Sequence, residues 1–180
     1  MSFVSTLDGH VEKAARSILG MRLRTEFQGR VTEILLTEVE AYGGSDDAAS
    51  HAYRGPTERN RSMFGPPGTL YVYRSYGVHW CANVATGPEG TGRAVLLRGG
   101  VPLEGKAVMQ KRRGRLDQLA DGPGKLAQAL GIDAIHDGTS VIDGPVRLLP
   151  RLGEVPSIVA TPRIGIAKAK ERAWRFVLVR

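Results

Sequence analysis

Residues 30–42 read RVTEILLTEVEAY, thirteen positions dense in Val, Ile, Leu and Thr and free of glycine and proline. Side chains branched at Cβ suit a pleated, half-buried backbone, so the stretch is expected to be a long strand. Strand alternation places Glu38, Glu40 and Tyr42 on one face and Thr37, Val39 and Ala41 on the other. Gly29 closes a turn into the strand, and Gly43-Gly44-Ser45-Asp46-Asp47 ends it. A shorter strand is expected before it, at residues 21–25. Residues 70–74 and 78–86 read as a hairpin, with Ser75-Tyr76-Gly77 as the tight turn and Tyr76 at the tip. Residues 94–98, two or three segments after Ser140, and residues 175–180 complete the expected strands. Helical spacing appears in residues 8–19, where Val11, Ala14, Ala15, Ile18 and Leu19 share a face before Gly20. It appears again in residues 103–113 and 123–130, the last closed by Gly131. Residues 50–68, with Arg54, Arg59, Arg61 and several glycines and prolines, read as an ordered basic loop. Hairpins mixed with helices, without regular βαβ alternation, give an α+β class.

A chain of 180 residues that is 42% hydrophobic is long enough for one substantial core. Its 25 Lys and Arg against 18 Asp and Glu give +7, which favours a polyanionic partner, nucleic acid before an anionic membrane surface. The single cysteine, Cys81, excludes an internal disulfide and speaks against a thiolate zinc cluster. It sits between Trp80 and Ala82 and reads as a buried, inert thiol. None of His10, His51, His79 and His136 stands in an HExxH pattern. No apolar run reaches the roughly 18 residues of a membrane span. The first residues show no basic region followed by an apolar core, so an intracellular protein is expected.

Glu38 and Glu40 could be two wet carboxylates on a sheet face. The apolar neighbours Leu35, Leu36, Val39 and Ala41 argue instead that one of them is partly buried. A carboxylate at the mouth of an apolar pocket suits a general base, since desolvation raises its pKa toward working pH. Tyr42, Tyr73 and His51 together offer two flat faces and a hydrogen-bonding ring, a set that suits a sandwiched purine. Tyr76 at a hairpin tip has little to pack against, and such an aromatic can act as a wedge between base steps. Residues 121–125, DGPGK, have the form of an anion-binding helix start. The glycine-rich residues 87–93 lack the ending of a P-loop and read as a connection. The basic run at residues 106–115 is more often a solvated helix end than a contact surface.

Four long motifs then match a family: TEVEAYGGSDDAASHAYRG (37–55), RNRSMFGPPGTLYVYRSYGVHWCANV (59–84), AVLLRGGVPLEG (94–105) and DGPGKLAQALGI (121–132). They resemble the alkyladenine (3-methylpurine) DNA glycosylases from about Ser17 onward. The resemblance implies a single glycosylase domain over residues 1–180, with a mainly antiparallel curved sheet, surrounding helices and a protruding hairpin. It implies Glu40 as the catalytic base and Arg98 as the residue that helps hold the attacking water and a nearby phosphate. Tyr42 on one side, with His51 and Tyr73 on the other, would sandwich the flipped base. Asn83 would disfavour guanine by opposing its exocyclic amine. Tyr76 would fill the gap in the duplex, with Thr57, Lys125 and Val78 as further DNA contacts. A main-chain carbonyl near Ile164 would complete the water site. The implied reaction is monofunctional hydrolysis of the N-glycosidic bond of damaged purines of the 3-methyladenine, hypoxanthine and ethenoadenine type in double-stranded DNA. The implied enzyme is a monomer without metal, cofactor or membrane partner, at the nucleoid of a bacterium or in a eukaryotic nucleus. No lysine is placed as a Schiff-base nucleophile. The competing readings are a non-catalytic nucleic-acid-binding module using the same aromatics for stacking, and a nucleoside hydrolase. Net charge and Tyr76 speak against the latter.

Overall fold

The computed structural model describes residues 3–154 and 157–179. After two short helices, α1 (Phe3–Leu7) and α2 (Val11–Ile18), the chain enters β1 (Arg22–Phe27) and β2 (Arg30–Tyr42). Gln28 and Gly29, both at positive φ, make the two-residue turn between them. β3 (Leu70–Ser75) and β4 (His79–Thr86) form the hairpin, and β5 (Arg93–Glu104) follows. Helices α3 (Lys106–Arg113) and α4 (Pro123–Leu130) precede β6 (Val146–Leu149), β7 (Ile158–Thr161) and β8 (Arg175–Leu178). The result is the expected α+β architecture, a mixed fold around a curled antiparallel sheet.

β2 is the axis of that sheet and has the bounds its sequence predicts. β5 pairs along one of its edges; β1 takes the first half of the other edge and β8 the second half, at Glu38–Glu40. The strand order β3-β4-β5-β2-β1-β6 is antiparallel throughout. Alternation gives the sheet two distinct faces. Val39, Ala41, Leu70, Val72, Ala82, Val84, Val95 and Leu97 join the main core with the apolar sides of α2 and α4. The opposite face carries Glu40, Tyr42, Tyr71, Tyr73, Cys81, Asn83 and Leu96. The register confirms that face, with Glu40 opposite Leu96 and Asn83 opposite both Tyr71 and Leu96.

Three local expectations change. β5 continues to Glu104, so Leu103 is strand and α3 begins at Lys106. Its far half pairs with the start of β2, and Pro102 is tolerated at an irregularity in that register. Gly105 makes the break: its φ is +72°, and a Cβ there would sit 2.1 Å from the Val31 carbonyl. Residues 58–64 are a 3-10 helix rather than a loop, capped by Thr57, whose hydroxyl accepts from the Asn60 N–H. The hairpin turn shifts by one, with Ser75 in β3 and Val78 in the loop. Part of the terminal stretch, Arg180, lies outside the described residues. Among the described residues no helix is long and apolar enough to cross a membrane.

Candidate active site

The second sheet face opens into a cavity of about 590 Å³. Glu40, Tyr42, His51, Tyr73, Tyr76, Asn83 and Arg98 all line it, so seven residues chosen from sequence meet at one place. Glu40 lies at the floor with none of its surface exposed to solvent. A buried carboxylate is costly unless paired and hydrogen-bonded, and this one is well supplied. The Tyr42 hydroxyl donates to Oε2 at 2.8 Å, the Ile164 N–H donates to Oε1 at 2.8 Å, and Arg98 Nη1 lies 3.5 Å from Oε1. Each oxygen keeps a further lone pair for another donor. The main chain at Ile164 thus reaches Glu40 through its N–H.

Arg98 is set by a pair of opposed bulges. The register runs Leu36↔Gly100, Glu38↔Gly99, Val39↔Leu97, which leaves Thr37 unpaired on β2 and Arg98 unpaired on β5. Freed from the ladder, Arg98 donates from Nε to Glu38 Oε1 at 2.8 Å while reaching toward Glu40. The same Glu38 oxygen accepts from Arg175 Nε at 2.7 Å. Burial works to raise the Glu38 pKa, but the hydrogen bonds from Arg175 and Arg98 outweigh it and hold the carboxyl below its usual range. Glu38 is therefore a clamp on Arg98, a role its sequence context did not disclose.

The aromatic walls are similarly fixed. Burial first, then the Glu40 charge, pushes the Tyr42 phenol far above its usual pKa, so it stays a proton donor. His51 stands edge-on to Tyr73, with ring centroids 4.5 Å apart, and its Nδ1 is 3.0 Å from the Tyr71 hydroxyl. Desolvation, helped by the Arg59 charge, holds the imidazole below its ordinary value, which keeps it neutral at pH 7. Tyr71, two residues before Tyr73 and on the same face, stacks on it at 5.5 Å and has its phenol pushed up to about 12 by burial. The i, i+2 spacing in the tyrosine run was the signal for Tyr71. Asn83 is buried and donates its side-chain amide to the Tyr71 carbonyl at 3.1 Å, which fixes its direction.

Tyr76 is 92% exposed at the hairpin tip. It and Gly77 both take positive φ, 49° and 68°, and the Val78 N–H closes the turn on the Ser75 carbonyl. Positive φ is uncommon for a non-glycine residue, so the turn holds Tyr76 outward at some strain. Val78 is exposed beside it. Thr57 and Lys125 lie outside the cavity lining. Thr57 caps its 3-10 turn, and Asn60 in that turn donates to the carbonyls of His51 and Gly55, so the cap braces the His51 wall. Lys125 pairs with Asp121 at 3.1 Å in the first turn of α4. That helix start sits against the turn end of the hairpin: a Cβ at Gly124 would lie 2.8 Å from the His79 Cβ. Among the described residues no three His, Cys, Asp or Glu side chains gather as a metal site.

A polar floor, aromatic walls and a projecting tyrosine now stand beside a sequence comparison. The pattern of the methylpurine-DNA glycosylases matches residues 5–180.

The chain belongs to the methylpurine-DNA glycosylase family.

Three bacterial relatives carry the provisional name 3-methyladenine DNA glycosylase. One from Rhodopseudomonas palustris (strain BisB18) is 49% identical over 170 residues, covering 93% of this chain and 82% of the relative. One from Nitrosospira multiformis is 48% identical over 166 residues, covering 91% and 83%. One from Corynebacterium glutamicum is 50% identical over 146 residues, covering 79% and 77%. Membership makes this chain a DNA glycosylase, a DNA-repair hydrolase of N-glycosyl bonds.

Proposed function

We propose that this glycosylase flips damaged purines of the 3-methyladenine, hypoxanthine and ethenoadenine type out of duplex DNA and releases them with water activated by Glu40. The observation that carries this reading is a fully buried, hydrogen-bonded carboxylate at the floor of a cavity walled by Tyr42, His51 and Tyr73.

Tyr76 enters the stack from the hairpin tip, Val78 contacts the DNA beside it, and Lys125 and Thr57 hold the backbone. The purine leaves the helix, at a cost of a few kcal/mol that is least for mismatched or damaged bases. It lies against Tyr42 on one side and His51 with Tyr73 on the other. Glu40 takes a proton from a water as the water attacks the anomeric carbon, and the C–N bond to the purine breaks. Arg98 holds that water and a neighbouring phosphate. An N-alkylated purine leaves with little acid help because it already carries positive charge, whereas hypoxanthine takes up a proton from solvent as it departs, balanced by the proton Glu40 later returns to solvent. Asn83 opposes the exocyclic amine of guanine. The product is an abasic site, with the strand left uncut. The protein acts as a monomer built from a single domain, and its bacterial relatives support a place at the nucleoid.

Glu40→Gln tests the reading. Single-turnover base release should fall by about 100-fold or more, the scale of general-base catalysis. Affinity for lesion-containing duplex should stay within about tenfold, roughly 1.4 kcal/mol. Release near the unsubstituted rate removes Glu40 from its role; no release by the unsubstituted protein favours the binding module.

A further inference from the structure

We propose that Arg163, paired with Asp47, is a positioning residue for this reaction, joining the two walls of the cavity and setting both Tyr42 and the main chain that holds Glu40. The inference rests on the proposed base-release activity. Both side chains of the pair are wholly buried. Arg163 Nη1 and Nη2 reach the two Asp47 oxygens at 2.5 and 2.8 Å, a bidentate arrangement open to arginine but not to lysine.

Each partner organises a different wall. Asp47 also accepts the N–H groups of Gly43 and Ala49, at 3.0 and 3.2 Å, and so folds the segment that carries Ala48, Ala49 and His51 into the cavity lining. Arg163 belongs to the segment after β7, whose residues 164–168 form another part of the cavity lining. Its Nη1 donates to the Ala41 carbonyl at 2.9 Å, tying that segment to the end of β2. Its guanidinium carbon stands 4.7 Å from the centroid of the Tyr42 ring, covering one face of that ring. The very next residue, Ile164, gives its N–H to Glu40. One guanidinium thus fixes the ring beside the base-binding space and, through one peptide unit, a donor on the general base.

Such a pair could also serve stability alone, because an unpaired buried charge is strongly unfavourable. A positioning role makes a different demand. Displacement of about 1 Å at a reacting group can cost about 100-fold in rate, and that loss appears in the chemical step while the protein remains folded. Lysine at position 163 would keep the charge opposite Asp47 but lose the second donor arm and the flat surface against Tyr42.

The test compares Arg163→Lys and Arg163→Ala with the unsubstituted protein on a hypoxanthine duplex. Single-turnover release, lesion-duplex affinity and unfolding midpoint are read for each. Arg163→Lys should stay folded and bind within about fivefold, yet release base about 100-fold more slowly, the scale set by misplacement. Arg163→Ala should regain at least about tenfold in rate on adding about 50 mM guanidinium, well below its molar denaturing range. Equal ionic strength from sodium chloride should give no recovery. Release by Arg163→Lys within about threefold of the unsubstituted rate overturns the proposal, as does an impaired, folded Arg163→Ala that guanidinium does not rescue. Failure of both variants to fold makes the pair a stability element and also overturns it. No release by the unsubstituted protein overturns the functional reading itself, a result distinct from all of these.

Discussion

Glu38→Gln should slow base release through Arg98, although Glu38 itself lies off the cavity lining. The Glu38 Oε1 oxygen accepts two guanidinium N–H groups, from Arg98 at 2.8 Å and Arg175 at 2.7 Å. Glutamine keeps the size and one acceptor oxygen but removes the charge, and its amide N–H₂ turns a donor toward two cations. A hydrogen bond to a charged group contributes about 1.5–3 kcal/mol. Partial exposure of Glu38, with 20% of its side-chain surface open, places the expectation at the lower end. With the clamp weakened, the Arg98 guanidinium, now 3.5 Å from Glu40 Oε1, is free to close on that oxygen and occupy the place proposed for the attacking water. At about tenfold for each 1.4 kcal/mol, the single-turnover rate should fall about 10- to 30-fold. The assay is excision from duplexes bearing 3-methyladenine or hypoxanthine under enzyme excess, with the unfolding midpoint recorded in parallel. A double-mutant cycle with Arg175→Met isolates the clamp, because the two substitutions should be less than additive if they act through one oxygen. A Glu38→Gln rate within about twofold of the unsubstituted protein refutes the argument that Glu38 positions Arg98.

Tyr76→Ala should reduce the fraction of lesion held in the cavity, because base–aromatic stacking contributes about 1–3 kcal/mol. The loss should be smaller on mispaired than on well-paired hypoxanthine; equal losses would mean that Tyr76 is no wedge. Asn83→Ala should raise release of undamaged or N7-methylated guanine relative to adenine lesions, measured as a ratio of single-turnover rates, and an unchanged ratio places selectivity elsewhere. Glu38 and Asp47 both titrate below their usual range: burial pushes each up, but arginine hydrogen bonds outweigh it, with further help at Asp47 from the Gly43 and Ala49 N–H groups. A depressed folded pKa gives stability that is full above the unfolded value and lost as pH falls through the folded one. The urea midpoint should therefore hold from neutral pH down to about 5 and drop below about 4, where free carboxyls protonate, with a shallower drop in Asp47→Asn.

The sequence alone determined much of this protein, and for local reasons. The bounds of β2 and α4 were legible because a β-branched run and a Pro-started, Gly-ended segment state their own limits. Alternation along β2 put Glu40 and Tyr42 on one face before any partner strand was known. The matched motifs then named the residues that gather around the cavity. What tertiary structure decided was everything that depends on register and on distant segments. The far half of β5 is strand because β2 lies beside it, which draws in Leu103 and Glu104 from the start of the expected helix. That Arg98 stands free of the ladder and reaches toward both glutamates follows from a pair of bulges that no local preference encodes. Arg163, Arg175 and the Ile164 N–H reach β2 across more than a hundred residues of chain. A single arginine in a polar stretch carries no mark of its partner, because ion pairs of this kind are set by where the chain returns rather than by the residues around it.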